Sequence, residues 1–288
     1  MFKEVFKQLK SKKNPPNLCG FGLKPPETWN VYEIIEKPGL IFVKNPFTSL
    51  GQRYWICRCM TDYTKKPQKS NLDSIIENDD EFNNIFESDL LQKLRWITLG
   101  YHHNWDTKIY DDKNKDVFPS DLSEMCEYVA DMLNFDNFKS EAAIINYYHM
   151  DSTLSGHTDH SEHNLNAPLF SFSFGQTAVF MVGGLTKDDE PLAIFLNSGD
   201  IVIMTNETRL CYHAVPCILK TTNETWNCID DEEEAAANKE EANEEEFDQI
   251  QRNSNIDLIN KCKNATFFKP FHKYLQTSRI NINIRQVY

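Results

Sequence analysis

The sequence predicts an α+β fold in which helices gather ahead of a double-sheet barrel, or jelly roll, and three features predict it. From Ala143 the chain breaks into short β-rich runs set apart by turn residues. No crossover helix separates those runs, which argues against the parallel sheet of a βαβ protein. The strongest helical periodicity lies before them, so the helices are expected on one outer face of the barrel.

Taken in order, Leu40-Ile41-Phe42-Val43 sits between Gly39 and Asn45-Pro46 and reads as a strand. Thr48 or Ser49 then opens a helix through Tyr54, Trp55 and Cys57. After a polar linker over 65–80, Phe82, Ile85, Phe86, Leu90, Leu91 and Leu94 recur at helical spacing and predict a helix over 81–95. KLRWITLGYHHNWDTKIY, residues 93–110, follows as an aromatic extension that contains turns. Ser120 is expected to cap the clearest helix, whose buried stripe is Leu122, Met125, Cys126, Val129, Met132 and Leu133. The strand runs are then AIINYY, PLFSFSFG, TAVFMVGG, PLAIFL, DIVIM and SRININIRQVY, with no internal repeat.

With 288 residues, 40% of them apolar and 12% aromatic, the chain can bury a full core without staples. A net charge of -13 argues against a polyanionic partner only until its distribution is read. The stretch 230–248 holds eleven carboxylates and one lysine, which leaves only -3 for the remainder. An alanine-dotted run of like charge, at about 228–250, is expected to be a solvated, mobile insertion. Cys19, Cys57, Cys59, Cys126, Cys211, Cys217, Cys228 and Cys262 form no CxxC pair and read as free thiols of a reducing, intracellular compartment. No apolar run reaches the ~18–20 residues of a membrane span, so no membrane partner is expected. The opening MFKEVFKQLKSKK is basic and amphipathic, as an import segment is. It lacks arginine and carries Glu4, which favours an ordinary surface helix.

In NYYHMDSTLSGHTDHSE, residues 146–162, His157 and Asp159 stand two apart behind Ser155-Gly156. At a strand edge the period of two turns both side chains the same way, roughly 6.5–7 Å apart at their Cα atoms, which suits two ligands of one ion. His213, on a later strand, is the candidate third. Two histidines and a carboxylate on one face of an ion leave positions open, as in non-haem iron(II) oxygenases. The spacing of His157, His160 and His163 also allows a helical zinc face, which Ser155, Gly156 and Pro168 oppose.

The run Arg279-Ile280-Asn281-Ile282-Asn283-Ile284-Arg285 is more specific. As a strand it turns every isoleucine one way and both arginines and both asparagines the other. The polar face is a ladder of hydrogen-bond donors with a cation at each end. The planar guanidinium matches a carboxylate, so a small dicarboxylate suits this ladder. A metal-chelating dicarboxylate such as 2-oxoglutarate requires both the ladder and the triad.

HTD, the distant histidine in RLCYHAVP and the RxNxxxR spacing resemble the AlkB family of nucleic-acid dioxygenases. KLRWITLGYHHNWDTKIY, NYYHMDSTLSGHTDHSE and PLFSFSFGQTAVFMVGGL look like its animal homologue 1 type. The likeness runs from about Trp29 to Pro216 and from about Phe271 to Tyr288, outside the acidic stretch. It implies Fe(II) on His157, Asp159 and His213, and the distal carboxylate of 2-oxoglutarate on Arg279. Asn146, Tyr148, Asn281 and Arg285 would complete the co-substrate site. With O2, the implied reaction oxidises methyladenine or methylcytosine in tRNA or DNA, on a base that is flipped out or unpaired. Residues 93–110 would form a lid, with Trp96, Tyr101 and His103 against the nucleotide. The implied organisation is an N-terminal helical and extended region at 1–92 and a dioxygenase jelly roll at 93–288. A monomer is expected, in the nucleus, the mitochondrion or the cytoplasm.

Two departures bear on substrate choice. The bacterial enzyme's pattern has an acidic residue two places after the metal aspartate, where this chain has Ser161 followed by Glu162. The basic residue expected in the strand before Gly199-Asp200 is absent from PLAIFL. Two other classes stay open: a metal-dependent hydrolase or lyase using the same ligands with zinc, and a non-catalytic interaction protein read through its acidic run.

Overall fold

The computed structural model describes residues 21–76, 78–227 and 249–288. The opening MFKEVFKQLKSKK, Cys19, Cys228 and the acidic stretch 230–248 lie outside the described residues. The strands are β1 (Asn30–Glu33), β2 (Leu40–Lys44), β3 (Lys69–Ser70), β4 (Trp96–Gly100), β5 (Ala142–His149) and β6 (Leu154–His157). They continue with β7 (Leu169–Gly175), β8 (Thr177–Val182), β9 (Leu192–Leu196), β10 (Ile201–Met204), β11 (His213–Leu219) and β12 (Ser278–Arg285). Eight of them form one sheet in the order β1-β2-β10-β7-β12-β5-β4-β3, and four form a second in the order β6-β11-β8-β9. Every pairing is antiparallel.

Alternation along the central strands sorts the residues into two cores. Phe170, Phe172 and Phe174 of β7, Ile201 and Ile203 of β10, and Ile280, Ile282 and Ile284 of β12 join one cluster. They meet residues of the helices α1 (Ser49–Cys57), α3 (Ser120–Met132), α4 (Gln249–Lys263) and α5 (Ala265–Leu275), such as Trp55, Met125, Val129, Phe268 and Leu275. The alternate residues Leu169, Val202 and Met204 join Phe180, Val182, Val215 and Ile218 of the small sheet in a second cluster. Each fully buried aromatic or aliphatic side chain contributes about 1.5–3 kcal/mol. Most of that stabilisation therefore lies on the helix side, and the inner face of the large sheet is free to carry polar groups.

The six described strand runs form as the sequence predicts, and so does the helix opened by Thr48, whose hydroxyl accepts from Gly51 N at 3.0 Å. Three local expectations are corrected. The helix over 81–95 is instead a single turn, α2 (Asp79–Phe82), followed by 3-10 turns over Ile85–Glu87 and Asp89–Lys93. Ser88 is extended there and caps the next turn through Leu90 N, which restarts the chain and breaks the ladder. Phe82, Ile85, Leu91 and Leu94 are buried all the same, so their spacing reported burial and not helix. Ser120 is the first residue of α3 and not its cap, because Pro119 occupies that place with a φ its ring already prefers. Trp96 to Gly100 is a strand of the large sheet.

The helix layer is joined by one buried carboxylate. Asp121 accepts from Tyr54 Oη at 2.7 Å, from Arg58 Nε at 2.8 Å and from Tyr63 Oη at 3.3 Å, tying α1 and its continuation to α3. The six described cysteines are free. No helix among the described residues is long and apolar enough to cross a membrane. Asp121→Ala would leave a guanidinium and two phenols short of an acceptor and should cost about 3 kcal/mol, read as a lowered urea midpoint.

Candidate metal and co-substrate site

The two sheets enclose a cavity of about 670 Å³. His157 ends β6 and His213 begins β11, and the two are directly paired across the small sheet. Their rings lie 4.3 Å apart. Asp159 sits just past β6, with Oδ1 3.9 Å from His157 Nε2 and Oδ2 3.8 Å from His213 Nε2. One ligand atom from each of the three falls within 4.8 Å of the others.

Each imidazole is oriented from behind. His157 Nδ1 lies 2.9 Å from Ser155 O and His213 Nδ1 lies 3.1 Å from Cys211 O. A carbonyl only accepts, so Nδ1 carries the proton and Nε2 keeps its lone pair for the cavity. Burial lowers the pKa of His213, which keeps it neutral and able to ligate. The Asp159 carboxyl is desolvated, which alone would raise its pKa. The Arg285 guanidinium outweighs that and holds it below the usual carboxylate range.

The polar ladder of β12 forms as expected, but its two arginines are in opposite states. Arg285 is committed: Nη2 donates to Asp159 Oδ2 at 2.8 Å, Nη1 to Tyr110 Oη at 3.1 Å, and Nε lies 3.1 Å from Glu162 Oε1. Its own desolvation is outweighed by Asp159, Tyr110 and Glu162, which raise its pKa. Arg279 is 2% exposed and donates only to neutral groups: Gln176 O and Leu196 O at 3.2 Å, and Ser173 Oγ at 2.7 Å. Its Nε is buried with no partner, and burial pulls its pKa down to about 10. Asp200 acts on it only from beyond ion-pair distance, and a buried cation with no ion pair among the described residues is costly unless an anion joins it.

The other predicted side chains divide. Asn146 and Tyr148 of β5 line the same cavity, with the Tyr148 phenol pushed up to about 12 by burial. Asn281 lines it too, its amide donating to Ser171 Oγ and Phe172 O at 2.9 Å. Arg285 lines it as well, at the end where its Nη2 donates to Asp159. Of the three nucleotide candidates only His103 lines the cavity. Trp96 reaches it through Trp105, at 5.1 Å between rings. Tyr101 is turned away, bonded to Asp112 and packed 5.4 Å from Tyr288.

Sequence reading missed several contributors. Ser171 and Ser173 alternate with the phenylalanines of LFSFSFG, a period-two signal equal to that of β12. Arg209 lies in the quoted RLCYH run, yet nothing in its spacing announces that its Nη1 donates to Asp159 O at 2.6 Å.

The 2OG-Fe(II) oxygenase superfamily model matches residues 39–285. The human protein named "Nucleic acid dioxygenase ALKBH1" is 39% identical over 283 residues, 92% of this chain and 68% of that protein. The chain belongs to the 2OG-Fe(II) oxygenase superfamily, in its AlkB branch. The fission-yeast "tRNA demethylase abh1" is 33% identical over 248 residues, covering 74% of this chain and 82% of that one. The solved structure of OsALKBH1 superposes with a TM-score of 0.55 at 17% identity, over 89% of this chain and all of that one, a likeness of fold. As an AlkB-branch oxygenase the protein uses Fe(II), 2-oxoglutarate and O2. Its own residues fit that set: two imidazoles and a carboxylate suit a divalent ion, and the Arg279 guanidinium, without an ion pair among the described residues, suits a carboxylate.

At the cavity wall His103 stands 4.7 Å from Trp105 and 5.3 Å from Tyr110, with Nδ1 buried and unbonded. Burial first, then the charges of Arg285 and Lys108, lower its pKa to about 4. The unfolded chain binds this proton below about pH 6.5 and the folded one only near 4, so the stability it confers is present above 6.5 and lost as pH falls. Between pH 6.5 and 4, His103→Gln should flatten the fall of the urea midpoint relative to the unaltered protein.

Proposed function

We propose that this AlkB-branch enzyme demethylates or hydroxylates methylated adenine or cytosine in tRNA or DNA. In this reading His157, Asp159 and His213 hold its iron, and Arg279 takes the distal carboxylate of 2-oxoglutarate. The observation that carries the reading is Arg279, a buried guanidinium with an unbonded Nε and no ion pair among the described residues, in the cavity that also contains the triad. Bound iron, 2-oxoglutarate and O2 supply the oxidising power, the co-substrate becoming succinate and carbon dioxide as a substrate methyl is hydroxylated. A methyl on nitrogen is then lost as formaldehyde, and one on carbon keeps its oxygen.

The protein's part is orientation and exclusion of water. Ser155 O and Cys211 O fix the tautomers of the two histidines, and Arg285 fixes the rotamer of Asp159. Phe180, Leu169, Met204 and Val215 supply an apolar wall, which strengthens every charge interaction inside. Neutral His103 offers its Nδ1 to the base, and Trp105, 39% exposed, offers a ring face with Lys108 beside it for a phosphate. The names of the human and yeast relatives support a nucleic-acid substrate.

The finer architecture belongs to the same proposal. The two sheets are read as a double-stranded β-helix of residues 93–288, to which β1 and β2 of the 1–92 region add beside β10. Residues 101–110, which leave β4 and contribute His103, Trp105, Lys108 and Tyr110 to the cavity, are read as the nucleotide-recognition lid. The protein is taken as a monomer acting inside the cell, in nucleus or mitochondrion, on a flipped or unpaired base and with no membrane partner.

Anaerobically iron-loaded protein given 2-oxoglutarate, O2 and a panel of methylated tRNA and DNA should yield succinate and altered nucleosides in coupled amounts by mass spectrometry. Turnover that needs neither 2-oxoglutarate nor O2 would sink the reading in favour of a hydrolase. His157→Ala should abolish Fe(II) binding in calorimetry. Arg279→Gln should raise KM for 2-oxoglutarate by about 100-fold while leaving Fe(II) affinity close to unchanged.

A further inference from the structure

Behind the triad lies a buried ionic cluster that the proposed chemistry does not touch. Glu162 is 5% exposed and Arg209 is 2% exposed. Glu162 Oε2 accepts from Arg209 Nη2 at 3.0 Å, and Oε1 lies 3.1 Å from Arg285 Nε. Both arginines then reach one residue: Arg285 donates to the Asp159 side chain at 2.8 Å, and Arg209 to its backbone carbonyl at 2.6 Å. Arg209 Nε also donates to Ala167 O at 3.0 Å, anchoring the arrangement to the approach of β7.

We infer that Glu162 is a positioning residue for Asp159, acting through Arg285 and Arg209 to set both its geometry and its charge toward a divalent ion. The inference rests on the iron reading above. Two arginines and two carboxylates make a neutral set, so Arg285 shares its charge between Glu162 and Asp159. Asp159 thereby keeps a full anionic face for a cation, its Oδ1 lying toward His157 and taking no bond from either arginine. Without Glu162 two buried guanidinium groups would compete for one carboxylate, and a dication would have to enter beside an excess positive charge. Glu162 also follows the departure at Ser161: the acid one place further on is enclosed by arginines and holds the metal residue in place.

The apo protein is titrated anaerobically with Co(II) by calorimetry, with urea midpoints and KM for 2-oxoglutarate measured alongside. Glu162→Gln should weaken Co(II) by about ten- to a hundredfold, the range for partners that orient a metal ligand. Glu162→Asp, which keeps the charge, should recover much of that loss. Arg209→Lys, which keeps charge but loses the fork joining Glu162 to the Asp159 carbonyl, should weaken Co(II) by about tenfold. At saturating Fe(II), KM for 2-oxoglutarate should change far less than in Arg279→Gln, since Arg279 lies at the other end of β12. A purely structural role would lower the urea midpoint and leave Co(II) affinity of the folded protein unaltered, and that result overturns the inference. Should Glu162→Gln show no cooperative unfolding, the Arg209→Lys titration decides alone. Failure of the unaltered protein to bind Co(II) would instead refute the iron assignment.

Discussion

A buried guanidinium that forms no ion pair among the described residues is the constraint around which this molecule is arranged. Arg279 loses its hydration and gains only two carbonyls and a hydroxyl, which do not offset a full charge. At the far end of the same strand Arg285 shows the ion-paired alternative, its charge set against two carboxylates and its Nη1 on a phenol, with Nε still unbonded. The contrast separates two jobs within one repeat of Arg and Asn: one cation is ion-paired to Asp159, and the other carries the proposed carboxylate contact.

A strand can carry such groups inward only if its stability comes from elsewhere. The isoleucines of β12 and the phenylalanines of β7 supply it on the opposite face, packed against α1, α3, α4 and α5. At the β7–β8 turn Gly175 has φ +84°, and an added Cβ would fall 2.6 Å from Ser278 O. This close approach lets the β7 end pair with β12 at Arg279, and so sets where the guanidinium meets Gln176 O and Ser173. Helix packing, a tight turn and ligand geometry are in this way one mechanical problem.

The aromatic wall of the cavity rests on a different kind of feature. His103, Trp105, Lys108 and Tyr110 reach the cavity from a segment whose regular structure is limited to an isolated bridge between Asn104 and Ile109. Aromatic residues there have no periodicity to read, so Trp96, Tyr101 and His103 were equal candidates on sequence. The structure distinguishes them because Trp96 belongs to β4, while Tyr101 is captured by Asp112 and Tyr288. The helix over 81–95 failed for a related reason: apolar spacing near three and four is satisfied by consecutive 3-10 turns once Ser88 recaps the chain.

By itself the sequence determined the strands of the double-sheet region, the faces of β12, and, through HTD and a distant histidine, three side chains that meet in the cavity. Those features are local: alternation at period two and a two-residue ligand spacing need no knowledge of distant neighbours. Only tertiary structure decided that Arg285 meets Asp159 while Arg279 meets Ser173 and Leu196 O, and that Glu162 is enclosed by arginines. The physical reason is that charge pairing in a protein interior depends on which side chains sequence-distant strands bring within about 3 Å, and no spacing along the chain encodes that distance.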